Sequence, residues 1–163
     1  DTVRTLWVVA FTMILFAAIL FLADRYGRRQ KEVADVTFNS AVGFGLSQAL
    51  AVIPGVSRSG ASISFGLFAG FTRAAAARFS FLIGIPAVLA SGLIEFKDSY
   101  QMLDANALSG TIVATITSFV VGYLVIAGLL KYLNKGSFMP FVVWRLVVGF
   151  GLLVMLSNGW ISA

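Results

Sequence analysis

The 163-residue chain is 59% hydrophobic and 12% charged with a mean hydropathy of +0.93, too apolar for a soluble domain of this size, so an integral membrane protein is predicted. Its net charge of +5 does not indicate nucleic-acid binding, because the basic residues lie in short segments between apolar runs, as membrane topology signals do. The absence of cysteine and histidine excludes disulfides, thiolate metal sites and the commonest base at neutral pH.

The first element is an uncharged run over residues 5–23. It is longer than a signal-peptide core and no small-residue cleavage site follows it, so it is predicted to be a transmembrane helix. Four basic residues come next: Arg25, Arg28, Arg29 and Lys31. By the positive-inside rule this loop is cytoplasmic. Because the chain starts at Asp1 and enters the helix almost at once, we expect it to be a piece of a longer protein.

Residues 36–72 carry one charged side chain, Arg58, inside the helix-breaking heptapeptide PGVSRSG at 54–60. At ~1.5 Å per residue, a helix over 38–53 reaches about 24 Å and one over 59–70 about 18 Å, against a hydrocarbon layer of about 30 Å. The second arm is too short to span the membrane. We therefore predict a re-entrant helical hairpin that enters and leaves on the cytoplasmic side with the heptapeptide at its tip.

Small residues recur every four positions on the predicted helices. They are Gly43, Ser47 and Ala51 on the first arm, Ser62, Gly66 and Gly70 on the second, and Gly110, Ala114, Ser118 and Gly122 on a later helix. Such stripes allow helices to approach closely in a membrane. Close packing of the arms is also required, because backbone at membrane depth must be buried in protein or line a watery cavity.

Three further transmembrane helices are predicted, at residues 79–94, 105–130 and 141–157. The segment between the first two is acidic, which indicates an external loop, whereas Lys131 and Lys135 indicate a return to the cytoplasm. Arg145 lies near the inner end of the last helix and is expected to snorkel toward the headgroups.

The predicted fold is therefore an all-α integral membrane domain over residues 1–163, with four transmembrane helices and one re-entrant hairpin. Its parts are the first helix and cytoplasmic loop (1–35), the hairpin (36–72) and three transmembrane helices (73–163).

The hairpin tip is predicted to bind an anion. Pro54 and Gly55 end one helix and Ser57 or Ser59 can cap the next, which leaves N–H groups and the positive end of a helix dipole facing a cavity. Arg58 adds a planar, permanently charged fork that suits phosphate oxygens. An arginine at membrane depth is normally kept only where it meets a partner, a cavity or an anion.

Two points remain open at the tip. The tripeptide at 57–59 could merely cap a helix while Arg58 pairs with a carboxylate elsewhere. Gln48 could orient Arg58 or a ligand, or it could hydrogen-bond a neighbouring helix.

The segments GLSQALAVIPGVSRSGAS at 45–62 and TRAAAARFSF at 72–81 closely resemble the undecaprenyl pyrophosphate phosphatases of the BacA type. The PGxSRS signature has its expected helical setting, and the order of the other helices agrees with the C-terminal half of that family. The resemblance implies a bacterial inner-membrane enzyme that removes one phosphate from undecaprenyl pyrophosphate on the outer face. This reaction recycles the lipid carrier for peptidoglycan synthesis, and its loss is associated with bacitracin sensitivity.

The resemblance also implies partners. Family members depend on a divalent cation, Mg²⁺ or Ca²⁺, and fold as two inverted repeats whose hairpin tips meet. The glutamate-rich segment and histidine of the family's N-terminal half are absent here, so the metal ligands are expected in a missing N-terminal repeat and this chain alone is expected to be inactive. The polyprenyl pyrophosphate lipid and the membrane are the other partners, and a homo-oligomer is compatible with the resemblance.

By the same resemblance, Arg58 neutralises the pyrophosphate and Ser57 acts as a nucleophile or a hydrogen-bond donor. The implied phosphate-binding residues are Gly55, Ser57, Arg58, Ser59, Gly60, Ser62 and Gln48; where the family usually has threonine, this chain has Ser62. A transporter or flippase is the alternative function, because broken half-helices also present anion sites in secondary transporters. A purely structural subunit would tolerate replacement of Arg58.

Overall fold

A computed structural model describes residues 5–99 and 105–161 of the chain. These residues form six α-helices: α1 (Leu6–Tyr26), α2 (Phe38–Ala49), α3 (Arg58–Phe68), α4 (Arg73–Ser99), α5 (Ala105–Leu133) and α6 (Met139–Ser157). Two short 3-10 segments, Val33–Asp35 and Leu50–Val52, complete the regular structure of this part of the chain, which contains no β-strand. Helices α1, α4, α5 and α6 are long and apolar enough to cross a membrane, so the predicted all-α fold with four transmembrane helices is confirmed.

Helix α4 begins six residues before its predicted start. Thr72 caps it, because its hydroxyl oxygen accepts from the Ala75 N–H (3.2 Å) and its carbonyl oxygen from the Ala76 N–H (2.8 Å). The alanine run that follows favours helix strongly. The apolar run on which the prediction was based begins only after Arg78, so the charged first turns were left out.

Helices α1 and α6 pack against each other in antiparallel orientation. A Cβ added at Gly149 would lie 2.8 Å from the Ile14 side chain and 3.3 Å from the Ala10 carbonyl oxygen, so the two backbones approach closely at this point. At the other end of the pair, the Phe138 N–H donates to the Asp24 carboxylate over 3.2 Å. The end of α1 therefore lies beside the start of α6.

Helices α2 and α3 form a tightly packed pair. Phe44 is fully buried, and its ring packs edge-on against three others: Phe65, Phe71 and Phe79, with centroid separations of 5.3, 5.6 and 4.9 Å. A Cβ at Gly43 would lie 2.1 Å from the Phe65 ring, and one at Gly66 would lie 2.6 Å from the Phe44 ring. The prediction of close packing through small residues is confirmed at these two glycines.

No described part of this chain packs against the corresponding stripe on α5. Cβ atoms added at Gly110 or Gly122 would meet no atom within 4 Å. The stripe therefore faces open space instead of a neighbouring helix of this chain.

Asp24 joins three helices, although its charge had suggested a loop. It lies inside α1 with 5% exposure, and its carboxylate accepts from Arg73 Nε (2.5 Å) and Nη2 (3.1 Å) at the start of α4. The same carboxylate accepts the Phe138 N–H at the start of α6. The Asp24 carbonyl oxygen accepts from the Arg29 guanidinium. One buried carboxylate thus fixes one end of α1 against α4 and α6.

We expect Asp24→Ala to lower the free energy of unfolding by about 3 kcal/mol, because breaking a buried ion pair leaves an uncompensated charge. Arg73 and the Phe138 N–H would both lose their acceptor. Thermal unfolding of the detergent-solubilised protein measures the change. The control is Asp35→Ala, which removes an exposed carboxylate from a local capping box. Equal loss of stability in the two variants would contradict the role given to Asp24.

Candidate anion-binding site

The turn between α2 and α3 requires glycine at its centre. Gly55 has a φ of +87°, a left-handed conformation that glycine adopts without a steric penalty. A Cβ at this position would also lie 2.0 Å from the Thr12 hydroxyl oxygen and 2.6 Å from the Val9 carbonyl oxygen. The backbone of the tip therefore packs directly against α1.

Side chains from α1 and α6 hold this turn. The Thr12 hydroxyl donates to the Pro54 carbonyl oxygen (2.7 Å), the shortest of its three carbonyl contacts, the others being Val8 (2.8 Å) and Val9 (3.0 Å). Arg145 Nη2 donates to the Gly55 carbonyl oxygen (2.9 Å). Thr12 comes six residues after the start of α1, so the tip lies about 9 Å from that end of the helix and about 21 Å from the other, at ~1.5 Å per residue.

The expectation that Arg145 snorkels toward the headgroups is wrong. Its side chain reaches inward to the Gly55 carbonyl oxygen. The physical reason is the close α1–α6 contact at Gly149, one helical turn after Arg145, which brings this part of α6 beside the tip.

The start of α3 presents hydrogen-bond donors at the tip. Of the two predicted caps, Ser57 occupies the N-cap position: its hydroxyl oxygen accepts the Gly60 N–H (3.1 Å) and its carbonyl oxygen accepts the Ala61 N–H (2.9 Å). The N–H groups of Arg58 and Ser59 belong to the first turn, where a helix offers no internal acceptor. The positive end of the α3 dipole and these donors favour an anion.

A pocket of about 750 Å³ lies between the tip, α4 and α5. Its polar lining consists of Gln48, Ser57, Arg58, Ser59, Arg78 and Ser80. Much of the remaining wall is apolar, with Ile85, Val88 and Leu89 from α4 and Tyr123 and Ile126 from α5. The cavity therefore joins a polar, cationic region to an apolar groove.

The charge of this pocket is positive. Arg58 and Arg78 both line it and both are exposed, and the lining includes no carboxylate. Among the described residues, no carboxylate lies within ion-pair distance of Arg58. Nothing in this part of the chain therefore neutralises Arg58, which leaves its guanidinium free to meet an anion.

The other residues implied by the resemblance occupy different positions. Gln48 lines the pocket and, together with Arg58, a second hollow of about 330 Å³. Ser62 is fully buried behind the tip, where its hydroxyl donates to the Arg58 carbonyl oxygen (2.9 Å) and lies 2.5 Å from the Ser80 hydroxyl oxygen. Gly60 is part of the first turn of α3, and its N–H is bound to the cap.

Sequence reasoning missed four residues at the site: Thr12, Arg78, Ser80 and Arg145. Thr12 is a polar residue within an apolar run, and Ser80 is in the TRAAAARFSF segment, so weak signals existed for both. Arg78 is in the same segment, so a weak signal existed for it as well. Only the three-dimensional arrangement relates Arg145 to the tip, because 90 residues separate it from Gly55.

The pocket residues do not by themselves fit a divalent cation. The side-chain oxygens of the lining belong to an amide, to serine hydroxyls and to the Tyr123 phenol, whereas Mg²⁺ and Ca²⁺ sites in proteins are built around carboxylates. Residues 5–99 and 105–161 also contain no cluster of three or more acidic, histidine or cysteine side chains that could hold a metal. The donor groups present suit the oxygens of an anion instead.

Comparison with known proteins identifies related sequences. A family model described as bacitracin resistance protein BacA matches residues 1–151. The chain is 46% identical to an undecaprenyl-diphosphatase of Clavibacter michiganensis subsp. michiganensis over 163 residues, covering all of this chain and 60% of that protein. It is 45% identical to proteins of the same name from a Nocardioides species (98% of this chain, 58% of that protein) and from Micrococcus luteus (98% and 59%). The chain thus spans about 60% of the length of these relatives.

Proposed function

The chain belongs to the BacA family, and on that basis we propose that the protein carrying it hydrolyses undecaprenyl pyrophosphate to undecaprenyl phosphate, with this chain supplying the phosphate-binding half of the site. The observation that carries the proposal is the shape and charge of the large pocket. Arg58 and the N-terminus of α3 suit an anionic head, and the apolar groove between α4 and α5 suits a long hydrocarbon tail. A polyprenyl pyrophosphate has both parts.

Arg58 binds the pyrophosphate in this proposal. Its planar fork can meet two phosphate oxygens at once, and its charge is permanent. The N–H groups of Arg58 and Ser59 add donors at the positive end of α3.

We assign Ser57 the role of a hydrogen-bond donor. Its oxygen already accepts the Gly60 N–H, so its own proton can be donated to a phosphate oxygen. With Ser57 as a donor, water attacks the terminal phosphorus and the P–O–P bond breaks. The products are inorganic phosphate and the lipid monophosphate.

The contribution of this chain to the rate is electrostatic. Negative charge spreads over the oxygens of the transferred phosphoryl group in the transition state, and fixed donors aimed at it lower the barrier. We propose that the divalent cation implied by the family is held by carboxylates in a second repeat of the same protein. The open small-residue stripe on α5 supports such a repeat, because a neighbouring helix could pack closely there.

We also propose that α2 and α3 form a re-entrant hairpin whose tip lines a pocket that faces the exterior. With 12 and 11 residues they are about 18 and 16 Å long, too short to span about 30 Å of hydrocarbon. The end of α3 lies beside the basic loop after α1, since Gly70 O accepts the N–H groups of Gln30 and Lys31. That loop is cytoplasmic by the positive-inside rule.

Cysteine labelling tests this topology. In the full-length protein, cysteines replacing Arg28 and Phe68, which are exposed on either side of the hairpin, are expected to react only from the cytoplasmic face. A cysteine replacing Asp98, near the end of α4, is expected to react only from outside. Labelling of Arg28→Cys and Phe68→Cys from opposite faces would show that the segment crosses the membrane.

The activity is tested by phosphate release from undecaprenyl pyrophosphate by the purified full-length protein. Movement of a labelled polyprenyl pyrophosphate between vesicle leaflets is measured in parallel. We expect phosphate release. Lipid movement without phosphate release would contradict the hydrolase and identify a transporter instead.

A further inference from the structure

Two successive carbonyl groups of the hairpin tip are held by side chains from two different transmembrane helices. Thr12 of α1 donates to the Pro54 carbonyl oxygen (2.7 Å) and Arg145 of α6 to the Gly55 carbonyl oxygen (2.9 Å). We propose that Thr12 and Arg145 form a clamp that fixes the tip in its phosphate-binding conformation, with Arg145 as a positioning residue for the reaction. This inference rests on the proposed function.

The clamp fixes the orientation of two successive peptide groups of the tip. No cis peptide bond occurs in the described residues, and in a trans peptide the C=O and N–H groups point in opposite directions. Because the Pro54 carbonyl points at Thr12, the Gly55 N–H points away from α1. The next carbonyl is fixed in the same way by Arg145, and Ser57, the N-cap of α3, follows two residues later. The backbone that leads into the N-terminus of α3 is therefore held by both bonds.

A hydrogen bond to one carbonyl does not explain why this residue is an arginine. Arg145 is half-buried in α6, its Nε has no partner in the described part of the chain, and no carboxylate there pairs with it. Charged side chains in membrane helices are expensive and are usually functional. A positive charge directly behind the tip attracts the same anion as Arg58 does from the front, and charges interact more strongly where water is excluded. The charge itself is therefore part of the inference.

The chain provides matched controls for both residues. Arg29 also has a buried Nε without a partner and also donates to a backbone carbonyl oxygen, that of Asp24, at the far end of α1 from the tip. Thr115 of α5, like Thr12, has its hydroxyl oxygen 2.8 Å from the carbonyl oxygen four residues earlier, but it has no contact with the tip. Replacing Arg29 or Thr115 therefore removes similar local contacts and leaves both bonds of the clamp intact.

The test compares Arg145→Gln, Arg145→Lys and Arg29→Gln in the full-length protein, with kcat, KM and the midpoint of thermal unfolding measured for each. We expect Arg145→Gln to lower kcat at least tenfold per folded molecule, and Arg145→Lys to recover part of that loss because it keeps the charge. Arg29→Gln should lower the unfolding midpoint and leave kcat unchanged. Wild-type kcat in Arg145→Gln, or the same loss of kcat in Arg145→Gln and Arg29→Gln, overturns the inference.

A second comparison remains informative if Arg145→Gln does not fold. Thr12→Val keeps the shape of the side chain and removes its donor, and we expect it to lower kcat threefold to tenfold, whereas Thr115→Val should not. Wild-type kcat in Thr12→Val overturns the clamp. If the wild-type protein releases no phosphate from the lipid, the proposed function fails; thermal stabilisation by inorganic pyrophosphate then tests the clamp without turnover. Loss of that stabilisation in Thr12→Val supports the clamp, and its retention overturns it.

Discussion

Arg58→Lys in the full-length protein is expected to lower turnover about as severely as Arg58→Ala, by roughly a hundredfold to a thousandfold, which corresponds to about 3 to 4 kcal/mol of transition-state stabilisation. A lysine keeps the charge but loses the planar fork that meets two phosphate oxygens together. Arg58 is exposed on the pocket wall with no carboxylate partner among the described residues, so its replacement should not unfold the protein.

The measurement is phosphate release per folded molecule, with Arg25→Lys as a control on an exposed arginine at the end of α1. Ser57→Ala belongs in the same series. It removes a cap and a donor but no charge, so we expect a smaller loss, about tenfold. Wild-type turnover in Arg58→Lys would exclude two-point contact by the guanidinium. Wild-type turnover in Arg58→Ala would remove Arg58 from the site.

The 163-residue chain expressed alone is expected to release no phosphate from lipid pyrophosphate. Its large pocket supplies arginines, hydroxyl groups and an amide but no carboxylate, so it offers neither a divalent-cation site nor a base for the attacking water. Co-expression with the rest of the full-length protein should restore activity.

Two controls make this result informative. The isolated chain must be monodisperse and show a cooperative thermal transition. These two results exclude misfolding as the reason why no phosphate is released. The restored activity must be lost again when Arg58→Ala is carried on this chain, which shows that its pocket takes part. Metal-dependent hydrolysis by the isolated chain would contradict the assignment of the missing groups to the other part of the protein.

Hydropathy and charge were enough to predict the four transmembrane helices, because a span is set by length and apolar content. The hairpin tip was also predictable: Pro54 and Gly55 break a helix, and Ser57 is a good N-cap. Helix ends were less accurate. Helix α1 continues past its predicted end at residue 23 to Tyr26, since Asp24 finds its partners inside the protein instead of in water.

The contacts that organise the site could not be predicted, because they join residues far apart in the chain. Hydropathy treats Arg145 as a charge near a helix end, and only the packing of α6 on α1 brings it to Gly55. Thr12 reaches Pro54 across 42 residues for the same reason. The α5 stripe could be recognised but its partner could not: small residues predict that a helix will be approached closely, but they do not identify the segment that approaches it.

The Asp24 junction constrains the order in which the molecule can be assembled. Asp24 is synthesised 114 residues before Phe138, whose N–H it accepts, so at about 5 to 20 residues per second roughly 6 to 23 s pass before this bond can form. Once Arg73 has been made, 49 residues after Asp24, the carboxylate can pair with that side chain but not yet with the start of α6. A shorter delay, of 90 residues, precedes the contact of Arg145 with the Gly55 carbonyl oxygen. A ribosome that stalls before α6 would therefore leave α1 inserted with the surface that packs against α6 uncovered, and the first helix of this chain is among the last to be secured.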